Sequence, residues 1–178
     1  MLDLTTCIDR FRGPLVGLIA SWGASHVDAL ELAQESFADA YLNRESCRED
    51  FNDPDVFARW LRGVARNKFR NFRRAKIRRK QHIASLDPVE LAKSATVPEP
   101  AIDPRIVQLR EAIGKLPTKL RQVIMMHYLE ETTVKEVAAL LSVTPKTVEG
   151  RLYQARKQLR QRMDGANHPT VISKAQLL

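Results

Sequence analysis

Cysteine is scarce: Cys7 and Cys47 are the only two in 178 residues, with no C-x-x-C pair and no histidine beside either. That excludes a disulfide-stapled fold and a zinc ribbon, and points to two reduced thiols in a reducing compartment. No apolar run approaches the ~20 residues that span a bilayer. No signal peptide opens the chain. A soluble, cytoplasmic protein without membrane insertion is therefore expected. His26, His82, His127 and His168 are scattered, no G-x-x-x-x-G-K phosphate loop occurs, and no carboxylate pair stands at a catalytic spacing. Ser21, Ser25 and Ser36 fall at helix ends or on helix surfaces by spacing. The chain is thus expected not to be an enzyme and to need no metal, cofactor or small-molecule substrate.

Charge of one sign is also missing, locally and twice. Residues 27–43 contain no Lys or Arg, and residues 56–86 contain no Asp or Glu. The first stretch reads as an amphipathic helix over 25–42, capped by Ser25 with Asp28 at the third position. Val27, Leu30, Ala33, Phe37, Ala40 and Tyr41 are its expected core face. Asp28, Glu31, Glu35 and Asp39 form an acidic stripe with like charges four apart. An acidic face without relief, in a chain of net charge +8 and pI near 9.8, points to a basic protein partner. The second stretch starts a helix at Asp53-Pro54-Asp55, a cap, a first-turn proline and a dipole-favourable acid. Phe57, Trp60, Leu61, Val64 and Phe72 give its core face. Eleven cations, from Arg59 to Lys80, lie along it with Asn67, Phe69 and Asn71 among them, which is the electrostatic footprint of a nucleic-acid surface.

The remaining pattern is helical as well. Residues 5–22 read as helix with Ile8, Phe11, Leu15, Leu18 and Trp22 on one side, and Gly13-Pro14 predicts a kink or two short helices. Residues 43–53 are a polar loop. Pro88, Pro98 and Pro100 break residues 81–102 into a linker, with one short turn at 89–92. Asp103-Pro104 opens a helix lined by Ile106, Leu109, Ile113 and Leu116. Pro117 opens another with Leu120, Val123, Ile124 and His127 inward.

The most informative stretch is 116–162. Thr133 and Glu136 form a capping box, and Val134, Val137, Ala138 and Leu141 make one apolar stripe. Leu141-Ser142-Val143 then breaks the pattern as a three-residue turn. Thr144 then caps and Pro145 begins a second helix with Val148, Leu152, Ala155 and Leu159 as its buried seam. Lys146, Glu149, Gly150, Tyr153, Gln154 and Lys157 make the opposite stripe. Two helices joined this way are the sequence form of a helix-turn-helix, whose second helix reads bases in a major groove. A plain helical hairpin shares the pattern, but this outward stripe mixes base-reading with phosphate-pairing side chains.

An acidic helix, a basic helix, a proline-rich linker and a C-terminal helix-turn-helix, in that order, resemble the extracytoplasmic-function (ECF) sigma factors of the sigma-70 family. DALELAQESFADAY (28–41) resembles region 2.2, FARWLRGVARNKFRNFRR (57–74) regions 2.3 and 2.4, and 116–162 region 4. The resemblance implies an all-α fold of two small helical domains joined by a flexible linker. Residues 1–80 would be region 2, 81–102 the linker, 103–163 region 4 and 164–178 a tail. It implies RNA polymerase core as partner, with Asp28, Glu31, Gln34, Glu35 and Asp39 on the β′ clamp helices and region 4 on the β flap. Promoter DNA would be met at the −10 element by Arg59, Arg62, Arg66, Asn67, Arg70, Asn71, Arg73 and Arg74. The −35 element would be met by Lys146, Thr147, Glu149, Gly150, Arg151, Tyr153, Gln154 and Lys157. An anti-sigma factor is an implied further partner. Glu149 stands where the family commonly has a basic residue and Gly150 where serine is common. The alternative is a stand-alone helix-turn-helix repressor or activator, which leaves the acidic stripe without a purpose and lacks a heptad dimer seam.

Overall fold

The computed structural model describes residues 4–84 and 103–167, and every regular element among them is helical. The first half holds α1 (Leu4–Ser21), α2 (His26–Leu42), a single 3₁₀ turn (Arg44–Ser46) and α3 (Pro54–Ala84). The second holds α4 (Pro104–Gly114), α5 (Thr118–Tyr128), α6 (Val134–Leu141) and α7 (Pro145–Asn167). Helix α3 runs through the first residues of the expected linker. The rest of that linker, including the turn expected at 89–92, lies outside the described residues, as does the tail beyond Asn167.

Helix α1 is one helix through Pro14 rather than two short ones. The residue before a proline is normally pushed out of the helical region by a clash with its own Cβ and N–H. Gly13 has no Cβ, which removes part of that clash. Every residue from Pro14 to Ser21 is buried, because α1 is central: it packs against α2 and α3 on one side and against α5 and α6 on the other. A helix that is apolar all round belongs in a core, and the run PLVGLIA is of that kind.

The first half closes around stacked aromatics. Phe57 lies 6.1 Å from Phe11, 6.3 Å from Phe37 and 5.3 Å from Phe51, the last edge-on, and Trp22 lies 5.4 Å from Phe69 between ring centroids. These are the spacings at which ring quadrupoles attract. Trp60 is half-buried against the core and donates its Nε1–H to the Ala40 carbonyl. In α2 the buried stripe is Ala29, Leu32, Ala33, Ser36, Phe37 and Ala40. Val27 is 65% exposed and Tyr41 38%, so neither belongs to the core. Val27 sits two residues, about 200° of helix, from Ala29, and Tyr41 instead lies under the Arg44 guanidinium. Ser21 and Ser36 are buried rather than on a surface, their hydroxyls donating back to the Leu18 and Leu32 carbonyls.

In the second half α7 packs on α4, α5 and α6. Val123, Met126, Val137, Leu140, Val148 and Ala155 are fully enclosed. Helix α4 is more exposed than its pattern implies: Ala112 and the following Leu116 are buried and Ile113 half-buried, while Ile106 and Leu109 face outward.

The two halves form one body. Their apolar cores are continuous through α1, and the contact with α5 is made at backbone range. A Cβ on Gly17 would stand 2.5 Å from the Met126 Cα, and one on Gly13 would stand 2.7 Å from the Thr132 methyl. Polar contacts flank the seam. Arg121 donates from Nε to the Ser21 carbonyl (3.0 Å), and His26 lies 3.6 Å from Glu130.

Candidate nucleic-acid and partner surfaces

The helix-turn-helix is built by local bonds that its sequence specifies. The Thr133 N–H donates to Glu136 (2.8 Å) and the Glu136 N–H to the Thr133 hydroxyl (3.3 Å), so both arms of the capping box are present. Helix α6 ends on Ser142 in the left-handed region, φ 55°. The Ser142 and Val143 N–H groups satisfy the Ala139 and Ala138 carbonyls, which stops the helix and turns the chain. Thr144 accepts from the Thr147 N–H (3.2 Å) and begins α7. With Val148, Leu152 and Ala155 buried beneath it, α7 presents Lys146, Glu149, Gly150, Tyr153, Gln154 and Lys157 to solvent. Thr147 is half-buried, its hydroxyl shared with that of Thr144 (2.9 Å), and Arg151 turns toward α3.

On α3 the eight residues grouped for the −10 element divide into two faces. Asn67, Asn71 and Arg74 follow one outward stripe at helical spacing, continued by Arg78. Arg59, Arg62, Arg66, Arg70 and Arg73 follow another, and this one faces the second half of the molecule across a cleft of about 790 Å³. Lys119 and Arg121 of α5 and Arg151 of α7 line the opposite wall, while Leu18, Trp22 and Phe69 are its apolar lining on the first half. Arg59 pairs with Glu49, and Arg62 donates from Nη1 to the Leu140 carbonyl (3.2 Å), near the C-terminus of α6. Burial, and then the neighbouring Arg59 and Arg66, lower the pKa of Arg62. The part of Lys119 and Arg121 in this wall has no counterpart in the sequence pattern, because α5 shows no basic stripe of its own. Beyond Phe72 all described side chains of α3 are exposed, so its end projects as a basic rod.

The acidic stripe of α2 is not unrelieved, as its own segment implies. Lys68 lies 2.8 Å from Asp39 and 3.1 Å from Glu35, and Lys76 lies 3.3 Å from Asp28. The relief comes from α3, packed alongside. The hydrogen bond to Asp39 is the main reason the Lys68 pKa is raised, and the Ser25 hydroxyl is the main reason the Asp28 pKa is lowered, with Lys76 assisting. Glu31 and Gln34 remain exposed on the outer side. Next to them, Leu4, Ile8, Leu30, Phe37 and Tyr41 line a largely apolar groove of about 600 Å³ between α1 and α2.

Among the described residues no group of three or more His, Cys, Asp or Glu is placed to hold a metal ion, and no helix is long and apolar enough to cross a membrane.

Comparison with known proteins assigns both halves. The family model "Sigma-70 region 2" matches residues 7–79 and "Sigma-70, region 4" matches residues 106–159. RNA polymerase sigma factor CnrH of Cupriavidus metallidurans is 28% identical, with 81% of this chain and 78% of CnrH covered. ECF RNA polymerase sigma factor SigW of Bacillus subtilis is 28% identical, over 76% of this chain and 75% of its own length. SigV of the same organism is 25% identical, over 88% and 89%. The solved structure of CnrH in complex with the cytosolic domain of CnrY shares the fold, with a TM-score of 0.51 at 24% identity over 91% of this chain and 88% of that one. With region 2 falling on α1–α3 and region 4 on α4–α7, the chain belongs to the sigma-70 family, as an RNA polymerase sigma factor of the extracytoplasmic-function type.

Proposed function

We propose that the chain, which as a sigma factor directs core polymerase to initiate transcription, divides that work among three faces. The outer side of α2, from Asp28 and Glu31 through Gln34, Glu35 and Asp39, docks on the β′ clamp helices. The two α3 stripes engage the −10 element: Asn67, Asn71 and Arg74 from the outward face, and Arg59, Arg62, Arg66, Arg70 and Arg73 once the cleft opens. The exposed stripe of α7 reads the −35 element, with Tyr153, Gln154 and Glu149 at base edges and Lys157 on phosphate, while Arg151 and Thr147 contribute from its flank. The second half also meets the β flap. An anti-sigma protein covers these faces when the factor is idle, as CnrY accompanies CnrH in the solved complex. The protein recognises DNA and catalyses nothing itself, and it works in the cytoplasm, beside polymerase. The observation that carries this reading is the recognition stripe of α7, presented outward by a helix whose other face is locked into the core.

The test is transcription in vitro from a library of upstream regions with purified bacterial core polymerase. Specific initiation that needs this protein is expected, together with weak, salt-sensitive and poorly discriminating DNA binding by the isolated chain. Tight binding of one operator by the chain alone, with no initiation in the presence of core, would establish a stand-alone repressor instead.

A further inference from the structure

The charge arrangement in the cleft differs from that elsewhere in the molecule. On the α2–α3 face lysines and carboxylates are paired. In the cleft, five arginines of α3, of which Arg59 is paired with Glu49, look across at Lys119, Arg121 and Arg151, and no carboxylate is part of the lining. Several of these cations are held in position by bonds that leave their charge largely uncompensated: Arg62 by the Leu140 carbonyl, and Arg121 by the carbonyls of Ser21 and Gly114. Arg66, Arg70, Arg73, Lys119 and Arg151 have no carboxylate partner among the described residues. The two walls come from different halves of the chain, which meet at backbone range at Gly17.

We propose that this cleft binds an oligophosphate, a chain of three or more phosphoryl groups, which bridges α3 and the helix-turn-helix half and holds the molecule closed. Like charges on facing walls repel, and an anion with several charges placed between them relieves that repulsion on both walls at once. Arginine forks suit phosphate oxygens because they donate in pairs. A single phosphate neutralises only part of one wall, whereas a phosphate chain spans the gap. Size separates this ligand from duplex DNA. A cleft of about 790 Å³ is within the ~300–1,000 Å³ of small-molecule sites, whereas a duplex presents a major groove ~12 Å wide on its own. The apolar side, with Trp22 and Phe69, lowers the local dielectric along one wall and strengthens the contacts made there. The anion site rests on the cleft and not on the promoter assignment. Its consequence for that assignment is that an occupied cleft withholds the α3 arginines from DNA.

The experiment is titration calorimetry of the full chain with tripolyphosphate, a nucleoside triphosphate without magnesium, orthophosphate and a short single-stranded oligonucleotide, with small-angle scattering on the same samples. One tripolyphosphate per chain is expected, with orthophosphate at least tenfold weaker and no increase in the radius of gyration. Equal affinity for the nucleoside triphosphate assigns recognition to the phosphate chain alone, and tighter binding of the nucleotide identifies nucleotides as the source. Lys119→Ala and Arg151→Ala, on the wall opposite α3 and at non-core positions, should each weaken binding about threefold. Gly17→Leu, which forces the halves apart, should abolish it while circular dichroism shows the helices retained. Unchanged affinity in both opposite-wall variants, or many weak equivalents per chain, would overturn the proposal by showing an ordinary basic surface. Tighter binding of the oligonucleotide than of tripolyphosphate would overturn it in favour of a single-strand channel.

Discussion

Gly17→Ala is the sharpest perturbation the packing offers, because its effect has the opposite sign from the usual one. An alanine inside a helix is normally better than a glycine by about 1 kcal/mol, since glycine loses more backbone freedom on folding. At position 17 the new methyl carbon would stand 2.5 Å from the Met126 Cα, 2.8 Å from the Met125 carbonyl oxygen and 2.9 Å from the Met126 nitrogen. All three are backbone atoms of α5, so no side chain can rotate away. Restoring ordinary contact takes a retreat of roughly 1 Å between α1 and α5, and a gap of that size forfeits up to about half of each dispersion well nearby. Overpacking of this kind costs about 1–3 kcal/mol, which exceeds the propensity gain. Gly63 is the internal control, helical and with nothing within 4 Å of its would-be Cβ. Gly63→Ala should therefore stabilise by about 0.5–1 kcal/mol, and Gly17→Ala should destabilise by about 1–2 kcal/mol. Urea unfolding followed by circular dichroism measures both midpoints. Should the two variants shift the midpoint in the same direction by similar amounts, the close approach of the two halves would be wrong.

Three further outcomes follow from named contacts. Lys68→Met should cost no more than about 1 kcal/mol, since its partners are largely solvated; because pairing raises the Lys68 pKa, its stabilisation is present at neutral pH and lost as pH rises through the lysine range, whereas the Asp28 contribution, its pKa lowered, is lost as pH falls through the carboxylate range. Equilibrium unfolding of wild type and variant across pH checks both signs. Trp60→Ala should destabilise by about 3 kcal/mol by emptying a site beside Phe57, while Asn67→Ala, fully on the surface, should leave stability alone and slow promoter opening; denaturant midpoints and permanganate footprinting separate the two. Gln154→Ala should change the preferred −35 sequence in a library selection, whereas Lys157→Ala should weaken all promoters alike and flatten the salt slope by ~0.9.

Much of the local structure is legible in the chain because its determinants lie within a few residues. The capping box at Thr133 and Glu136, the Thr144-Pro145 restart and the caps at Ser25, Asp53 and Asp103 all form as their spacing requires. The outward stripe of α7 follows from the same periodicity, since a buried seam at Val148, Leu152 and Ala155 leaves only one face for Lys146, Tyr153 and Gln154. Where a helix is amphipathic and its neighbours are near in sequence, period and cap suffice.

Tertiary structure decided what depends on which helix lies beside which. The acidic stripe reads as unrelieved in its own segment, yet Lys68 and Lys76, 29 to 48 residues away from their partners, relieve it. The α3 arginines read as one basic surface, but the second half of the chain stands across a cleft from one of their two faces and adds Lys119, Arg121 and Arg151 opposite. The clearest case is α1. Its Gly-Pro pair predicts a kink or two short helices by local rules, whereas burial of every residue from Pro14 to Ser21 goes with a single helix, and Gly17 serves close packing against α5. Caps and periodicity are short-range properties, written in the order of the residues. Ion pairing across helices and backbone-range contact are properties of distance, and only folding brings those residues together.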